Sequence, residues 1–317
     1  MNKVFVVDRN TKAGIFIAPY PSDVLDYLAD PENLLWIDFY QPNYEWIKKH
    51  FSIYNHTLSL CKDKNATAYY ESAREYCYLK TLVLYPDKLT TPAQAGIVNF
   101  IVSKSYILTF HDSPIDIFDG IDIDPDGVSR ILARGTDRFF AYLLDLLIGD
   151  YYRFADKLNS EQEMLEYNIF VKPEGKFEEK LFSLNRSVVK NNCLLKEQAR
   201  VLKSLCKKPT RIIQSSSLHR FRKIHYAITS LTGYFDAMEK IFHNLLSAFS
   251  ILHRKTYFAK TNMLIIMMLC STVLLIGVAV AHINQPGRFG LAVCLCLVFI
   301  GIATYLGYTR SGRKHNI

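Results

Sequence analysis

Two stretches near the end of this sequence contain no lysine, arginine, aspartate or glutamate: Met263 to Ile283 and Phe289 to Tyr308. Each is nearly unbroken apolar sequence, relieved in the first only by Ser271, Thr272 and His282. The bilayer hydrocarbon is crossed by roughly 20 apolar residues in a helix, and a soluble helix of that length normally carries some charge. The missing charge therefore predicts two membrane spans, about 263–283 and 289–308. Enzyme signatures are missing as well. There is no GxxxxGK[ST] phosphate loop, HExxH, CxxC or GxSxG, so the chain is read as a non-enzyme without a covalent cofactor. The seven cysteines are odd in number and show no paired spacing, and Cys270, Cys294 and Cys296 fall inside the apolar runs. That excludes a disulfide scaffold and fits a reduced compartment. The opening MNKVFVVDRN has no basic, apolar, small-residue layout of an export signal.

Helix breakers are scarce over a long interval. Between Pro209 and Pro286 there is no proline, and the only glycines are Gly233 and Gly277. Within it Phe221, Ile224, Ile228, Leu231, Phe235, Met238, Phe242, Leu245, Phe249 and Leu252 recur at spacings of three and four. This is a heptad seam, and nothing breaks the chain between it and the first apolar run. One helix from about Ser215 to Ile283 would be on the order of 100 Å long at 1.5 Å per residue. Such a helix is not stable alone, so its seam must be covered by preceding helices or by other copies. Two spans also cannot enclose a water-filled path, so any conduction requires several copies around it.

Upstream, Val4–Val7, Gly14–Ala18 and Leu34–Phe39 are strand-like, and Pro42 opens a helix reaching Phe51. Cys77–Tyr85 and Ile97–Phe110 are further strands, the latter a hairpin turning at Ser103-Lys104-Ser105. Thr136–Phe170 and Phe177–Leu205 have helical periodicity and are split by the turn-forming Lys172-Pro173-Glu174-Gly175. The expected organisation is an α+β cytoplasmic domain over 1–135 (an α/β/α sandwich), a helical hairpin over 136–208 and a long stalk helix over 209–260. A transmembrane hairpin with a short basic tail follows over 261–317. Arg254, Lys255 and Lys260 before the first span, and Arg310, Arg313 and Lys314 after the second, place both termini in the cytoplasm of a cell-membrane protein. The net charge of +8 is read as scattered bases concentrated near the membrane, favouring anionic lipid over nucleic acid as partner.

Several segments together resemble the CorA family of divalent-cation transporters over nearly the whole chain. Leu35-Trp36-Ile37-Asp38-Phe39 with Pro42 and Glu45 is similar to the family's "WIDL…P…E" segment. Ile97–Ile101 with Ile107-Leu108-Thr109-Phe110-His111 resembles its hairpin ending in "TVH". Tyr142–Asp145, Asp150-Tyr151-Tyr152 and Glu163–Phe170 resemble its "LL.ALLD…D.YF" helix and "E…LE..VF" continuation. The resemblance implies a homopentamer in a lipid bilayer. The first spans would line a pore for Mg²⁺ or another divalent cation (Co²⁺, Ni²⁺), which is cargo rather than cofactor. The family closes the first span with Gly-Met-Asn, where this chain has His282-Ile283-Asn284. The acidic loop between spans is replaced by Gln285-Pro286-Gly287-Arg288, and stalk positions given to carboxylates hold Lys223, His225 and Tyr226. A zinc or proton-coupled carrier of the same fold, or a non-conducting scaffold, are the alternatives these departures leave open.

Candidate residues follow from that position. Asn284 would offer amide carbonyls to a hydrated cation at the pore mouth; otherwise it caps a helix C-terminus before Pro286. Thr272, twelve residues earlier and taken as close to the same face, could assist a partly dehydrated ion, or else bond the preceding turn. Leu264 is a candidate apolar constriction, and Gly277 with Ala281 forms a small-xxx-small pair. His282 could bind zinc or titrate near neutrality, or merely sit at the interface. Asp122, Asp124 and Asp126 copy half of a calcium loop whose closing glutamate is replaced by Ala133, so the main reading is helix capping, with a cation-sensing patch as the rival.

Overall fold

The computed structural model describes residues 3–17, 21–65, 67–85, 96–115, 118, 121, 124–171 and 177–284. At 21–22, 253, 255–257, 259–260 and 274–284 it describes the backbone alone. The described residues divide into two units: residues 1–164 with 178–243, and residues 165–177 with 244–317.

The first unit is built on a seven-stranded sheet: β1 Lys3–Asp8, β2 Gly14–Ile17, β3 Asn33–Tyr40, β4 Tyr69–Ser72, β5 Tyr76–Val83, β6 Gly96–Ser103 and β7 Tyr106–His111. The spatial order is β2-β1-β3-β7-β6-β5-β4. Only the β3–β7 pair is parallel, with Trp36 opposite Ile107 and Asp38 opposite Thr109. The expected hairpin turn falls at Lys104-Ser105. Strands β1, β3, β5 and β6 are buried nearly end to end. Near-continuous apolar runs rather than strict alternation are what a sheet covered on both faces requires.

Helices α1 Pro21–Ala29, α2 Tyr44–His50 and α3 Asn55–Lys62 cover one face. Val24, Ile47, Leu58 and Cys61 pack there with Val4, Val6, Ile37, Phe39, Tyr78 and Phe110. The start of α2 departs from expectation: Asn43 is the cap, accepting from the Trp46 N–H at 3.2 Å, and Pro42 lies just before it. A side-chain acceptor satisfies an orphan amide, which proline cannot do. Helices α4 Pro125–Leu132 and α5 Thr136–Val171 lead to the other face. There Trp36 meets Phe139 at 5.6 Å and Phe100 meets Phe140 at 5.3 Å between ring centroids. A Cβ on Gly14 would lie 2.1 Å from the Ser129 hydroxyl, so only glycine lets α4 lie this close to β2. The result is an α/β/α sandwich. Its short elements α1, α3, α4 and β4 lacked a period strong enough to read from sequence.

Two long helices complete the description: α6 Glu178–Leu205 and α7 Leu218–Asn284, the latter 67 residues. Buried polar groups tie α5 and α6 to the sheet. The Tyr151 hydroxyl lies between the Leu82 carbonyl and the Gln198 amide oxygen, and the Gln198 amide donates to Thr81. The segment 172–176, where the turn was expected, lies outside the described residues. So does the second apolar run, 289–308. Among the described residues no helix is long and apolar enough to cross a membrane. Side chains of the first apolar run are described only as far as Val273.

Candidate functional site

Helix α7 carries most of the candidate residues, and its faces differ. Nine of the ten seam residues, Phe221 through Phe249, are between 0% and 7% exposed; Leu252 is half-buried. In the first unit α5 covers the seam, with Phe140 against Phe221 at 5.5 Å and Phe154 stacked on Phe235 at 6.2 Å. Helix α6 braces the rim. Asn192 donates to Asp236 at 2.7 Å and to Glu239 at 3.3 Å, and Lys196 pairs with Asp236 at 2.6 Å. These donors hold the Asp236 carboxyl below its ordinary value, and Asp236 in turn raises Lys196.

A second stripe runs along the other side of the same helix. In the first unit it comprises Tyr226, Ser230, Gly233, Ala237 and Ile241. In the second it comprises Asn244, Ala248 and Ile251. None of these positions is charged, and all are exposed except half-buried Ala248. A Cβ added to Gly233 would meet nothing within 4 Å. The spacing of three and four was legible, but small residues give little hydrophobic contrast, so the sequence reading missed it.

Further along, Met263, Leu264, Ile265 and Ile266 are consecutive and each is 41–59% exposed. Four consecutive residues sweep about 300° of a helix at 3.6 residues per turn. Here α7 is therefore apolar and bare around its whole circumference, a texture that belongs inside a membrane or a larger core. The Thr272 hydroxyl donates to the Leu269 carbonyl at 2.8 Å, as Ser271 does to Met268 at 2.7 Å. That bond uses the Thr272 proton and leaves its oxygen lone pairs as acceptors.

One expectation needs correction. Thr272 does not share a face with Asn284: twelve residues along a continuous α-helix turn by about 120° beyond whole turns, and the twenty from Leu264 by about 200°. Positions 266, 273 and 277 fall within about 20° of position 284 on the same count. Gly277, His282 and Asn284 lie where α7 is described by its backbone alone.

The acidic stretch resolves into local structure where it is described. Asp124 is the N-cap of α4, accepting from the Gly127 N–H at 2.9 Å, and Asp126 lies in the first turn. Asp122 lies outside the described residues, as do Asp116 and Asp119. Among the described residues there is no group of three or more His, Cys, Asp or Glu placed to hold a metal ion.

The conspicuous polar cluster is one that sequence reasoning met only as family letters. Across β3 and β7, Trp36 Nε1 donates to Thr109 Oγ1 at 3.2 Å, and the Thr109 hydroxyl donates to Asp38. His111 Nε2 meets Asp38 at 3.0 and 3.2 Å, while His111 Nδ1 faces the Ser113 carbonyl at 2.7 Å. All four side chains are buried. The Ser113 carbonyl can only accept, so Nδ1 carries a proton, and a further proton is shared between Nε2 and the carboxylate. Beside it Gln41 takes a left-handed φ of 50°, with its N–H bonded to the His111 carbonyl at 3.0 Å.

Comparison with known proteins bears on all of this. The model of the CorA-like Mg²⁺ transporter protein family matches residues 31–276. The cobalt/magnesium transport protein CorA of Thermotoga maritima is 21% identical over 180 residues. That alignment covers 56% of this chain and 51% of the relative, so the chain spans about half the length of that curated protein. Among solved structures, the CorA magnesium transporter of Methanocaldococcus jannaschii superposes with a TM-score of 0.72 at 16% identity, covering 96% of this chain and 97% of that one. The full-length CmaX protein gives 0.72 at 13% identity, covering 99% and 97%. At these identities the likeness is one of fold: an α/β domain followed by long helices.

Proposed function

The chain belongs to the CorA-like Mg²⁺ transporter family, and from that premise we propose that it is a membrane transporter of divalent cations, with Mg²⁺ the leading cargo. It works as a ring of identical copies, five by analogy with the family. The first apolar run of each copy, 263–283, lines the path and the second, 289–308, surrounds it. Both termini are cytoplasmic.

The observation that carries this reading is the division of α7 into a covered face and a bare one. The seam is used up by the chain's own helices. The uncharged stripe from Tyr226 to Ile251 and the bare girdle from Met263 to Val273 have no partner among the described residues. A helix apolar all round needs lipid on one side and neighbours on the other. A ring of copies supplies both and encloses a path, which one chain cannot do. Positions 266, 273, 277 and 284 then face the axis together. Asn284 closes the row, and its amide carbonyls hold a cation through its water shell, a mode suited to Mg²⁺, which dehydrates reluctantly.

The test is Mg²⁺ entry into proteoliposomes loaded with a magnesium-sensitive dye, with Asn284→Ala alongside. Uptake by the unaltered protein, lost or made unselective in the variant, is the expected result. Absence of uptake by a correctly assembled protein overturns the reading.

A further inference from the structure

Two outer faces of the first unit carry opposite charge. Along α5, Asp145, Gly149, Tyr152, Asp156, Asn159 and Glu163 recur at spacings of three and four, so they share one face of the helix. All are exposed except half-buried Asn159; Asp145, Asp156 and Glu163 are acids and none of the six is a base. Along α6, Arg186, Val189, Cys193, Lys196, Arg200 and Lys203 keep the same spacing. All of these are exposed; Arg186, Lys196, Arg200 and Lys203 are bases and none is an acid. Bases that are scattered along the sequence are thus aligned on the folded helix. Little of this charge is compensated inside the chain. Lys196 pairs with Asp236, and the Glu163 carboxylate accepts from the Asn159 amide at 2.7 Å. Among the described residues Asp145, Asp156, Glu163, Arg186, Arg200 and Lys203 are in no ion pair.

The two faces lie on opposite flanks of α7. Tyr234 and Asp236 adjoin the buried seam residue Phe235 in sequence and are turned about 100° to either side of it. On one flank the Tyr234 hydroxyl donates to Asn159 at 3.2 Å, and burial with nearby Asp156 and Glu163 pushes that phenol up. On the other, Lys196 reaches Asp236 at 2.6 Å, and burial with nearby Lys203 holds His225 below its ordinary value. Between the flanks runs the uncharged stripe of α7. The faces also match in height. Tyr151 bonded to Gln198 and Glu161 paired with Lys180 show α5 and α6 to be antiparallel. Asp145 therefore lies toward the Arg200–Lys203 end of α6, and Glu163 toward the Arg186 end.

We propose that the acidic face of α5 in one copy of the chain packs against the basic face of α6 in the next copy. The proposal rests on the ring reading above and names the surfaces that join neighbours within it. Different surfaces on opposite flanks make a head-to-tail contact, and such contacts generate a ring when the rotation closes. Rotation about an axis running along α7 preserves height, so the acids of one copy arrive level with the bases of the next. A two-fold contact through either flank would instead set that face against itself, and like charges repel. Exposed ion pairs add little affinity singly; they fix partner and orientation, while the uncharged stripe of α7 supplies the dry contact.

Exposed Cys193, in the middle of the basic face, is a ready reporter. The test is cross-linking of full-length Asp156→Cys with a short bismaleimide, beside native mass spectrometry of the same protein. A ladder of covalently joined chains is expected. Adding Cys193→Ser should abolish it, and Lys157→Cys, exposed one residue away and turned about 100° from the acidic face, should give none. A second arm reverses charge. Arg186→Glu/Arg200→Glu/Lys203→Glu should lower the ring fraction about tenfold at fixed protein concentration, and Asp145→Lys/Asp156→Lys/Glu163→Lys in the same chain should restore it. A ring without a Cys193-dependent ladder, or undiminished assembly of the basic-face variant, overturns this contact and leaves the ring reading standing. Monomers from the unaltered protein overturn both. Loss of copurified phosphatidylglycerol in the basic-face variant, with assembly unchanged, overturns the contact in favour of a lipid occupant.

Discussion

Replacing Asp38 distinguishes an ordinary buried contact from the four-residue polar chain that joins β3 to β7. Asp38→Ala removes the acceptor of both the Thr109 hydroxyl and His111 Nε2, leaving their donors buried. Breaking a buried charged pair by removing one partner costs about 3–5 kcal/mol. At ~2–4 °C per kcal/mol for domains of 150–250 residues, the melting temperature should fall by about 6–20 °C. Asp38→Asn has a different outcome. The asparagine oxygen can still accept from Thr109, and its amide can donate to Nε2 of a neutral imidazole whose Nδ1–H keeps the Ser113 carbonyl. Every group stays satisfied, so the cost should remain below about 1.5 kcal/mol, within the ordinary worth of one hydrogen bond. The assay is thermal unfolding of the full-length protein, unaltered and in both variants, under one set of conditions. An alanine variant as stable as the parent, or an asparagine variant as damaged as the alanine one, would refute the assigned donors and acceptors.

Other consequences are separable. Gly233→Ala should stabilise the helix of an isolated chain by about 1 kcal/mol, since its Cβ meets nothing within 4 Å, yet weaken the assembly if another copy packs there; native mass spectrometry reads the second effect. Thiol reagents near pH 8 should label exposed Cys193 in the folded protein and spare Cys61 and Cys77, whose thiols burial pushes up to about 12; peptide mapping before and after denaturation decides it. Lys196 and Asn192, donating to its carboxylate, hold Asp236 below the ordinary carboxylate range, so its contribution to stability is full above that ordinary range and is lost as pH falls through the depressed folded value. Unfolding followed from neutral pH into the acid range should therefore show a shallower loss in Asp236→Asn than in the parent.

Much of this architecture was legible because long period and burial coincide. The seam from Phe221 to Phe249 read as a stripe and is buried as one. The strands of the central sheet were readable because a sheet covered on both faces needs continuous apolar runs. What stayed hidden had no period to show. Helices α1, α3 and α4 are nine residues or fewer, about two turns, too short for amphipathicity to rise above composition. The chain from Trp36 to His111 was hidden for another reason: its bonded partners across the two strands lie up to 73 residues apart, and only the parallel pairing of β3 with β7 brings them together. The candidate pore residues were chosen by position alone: Asn284 by its place at the end of the first apolar run, and Thr272 by a count that neglected the turn of the helix.

Helix rotation also says what kind of site this is. A seam residue and a stripe residue on α7 are chemically distinct, but they differ more in who covers them. Phe235 has Phe154 stacked on it from the same chain, so its environment is complete in one copy. Gly233, two residues away, faces open space in the interior of a 67-residue helix. There glycine costs about 1 kcal/mol relative to alanine. A chain that functioned alone would gain from alanine at that position and from charge along the stripe, because both favour an exposed helix face. The stripe has neither between Tyr226 and Ile251; in the second unit position 255, a lysine, falls on the same face before Ile266 and Val273 return to it. Absence of charge is inexpensive only where water is to be excluded, and absence of a side chain is useful only where another backbone comes close. On the proposed reading, the exposed stripe of α7 is the surface on which other copies pack.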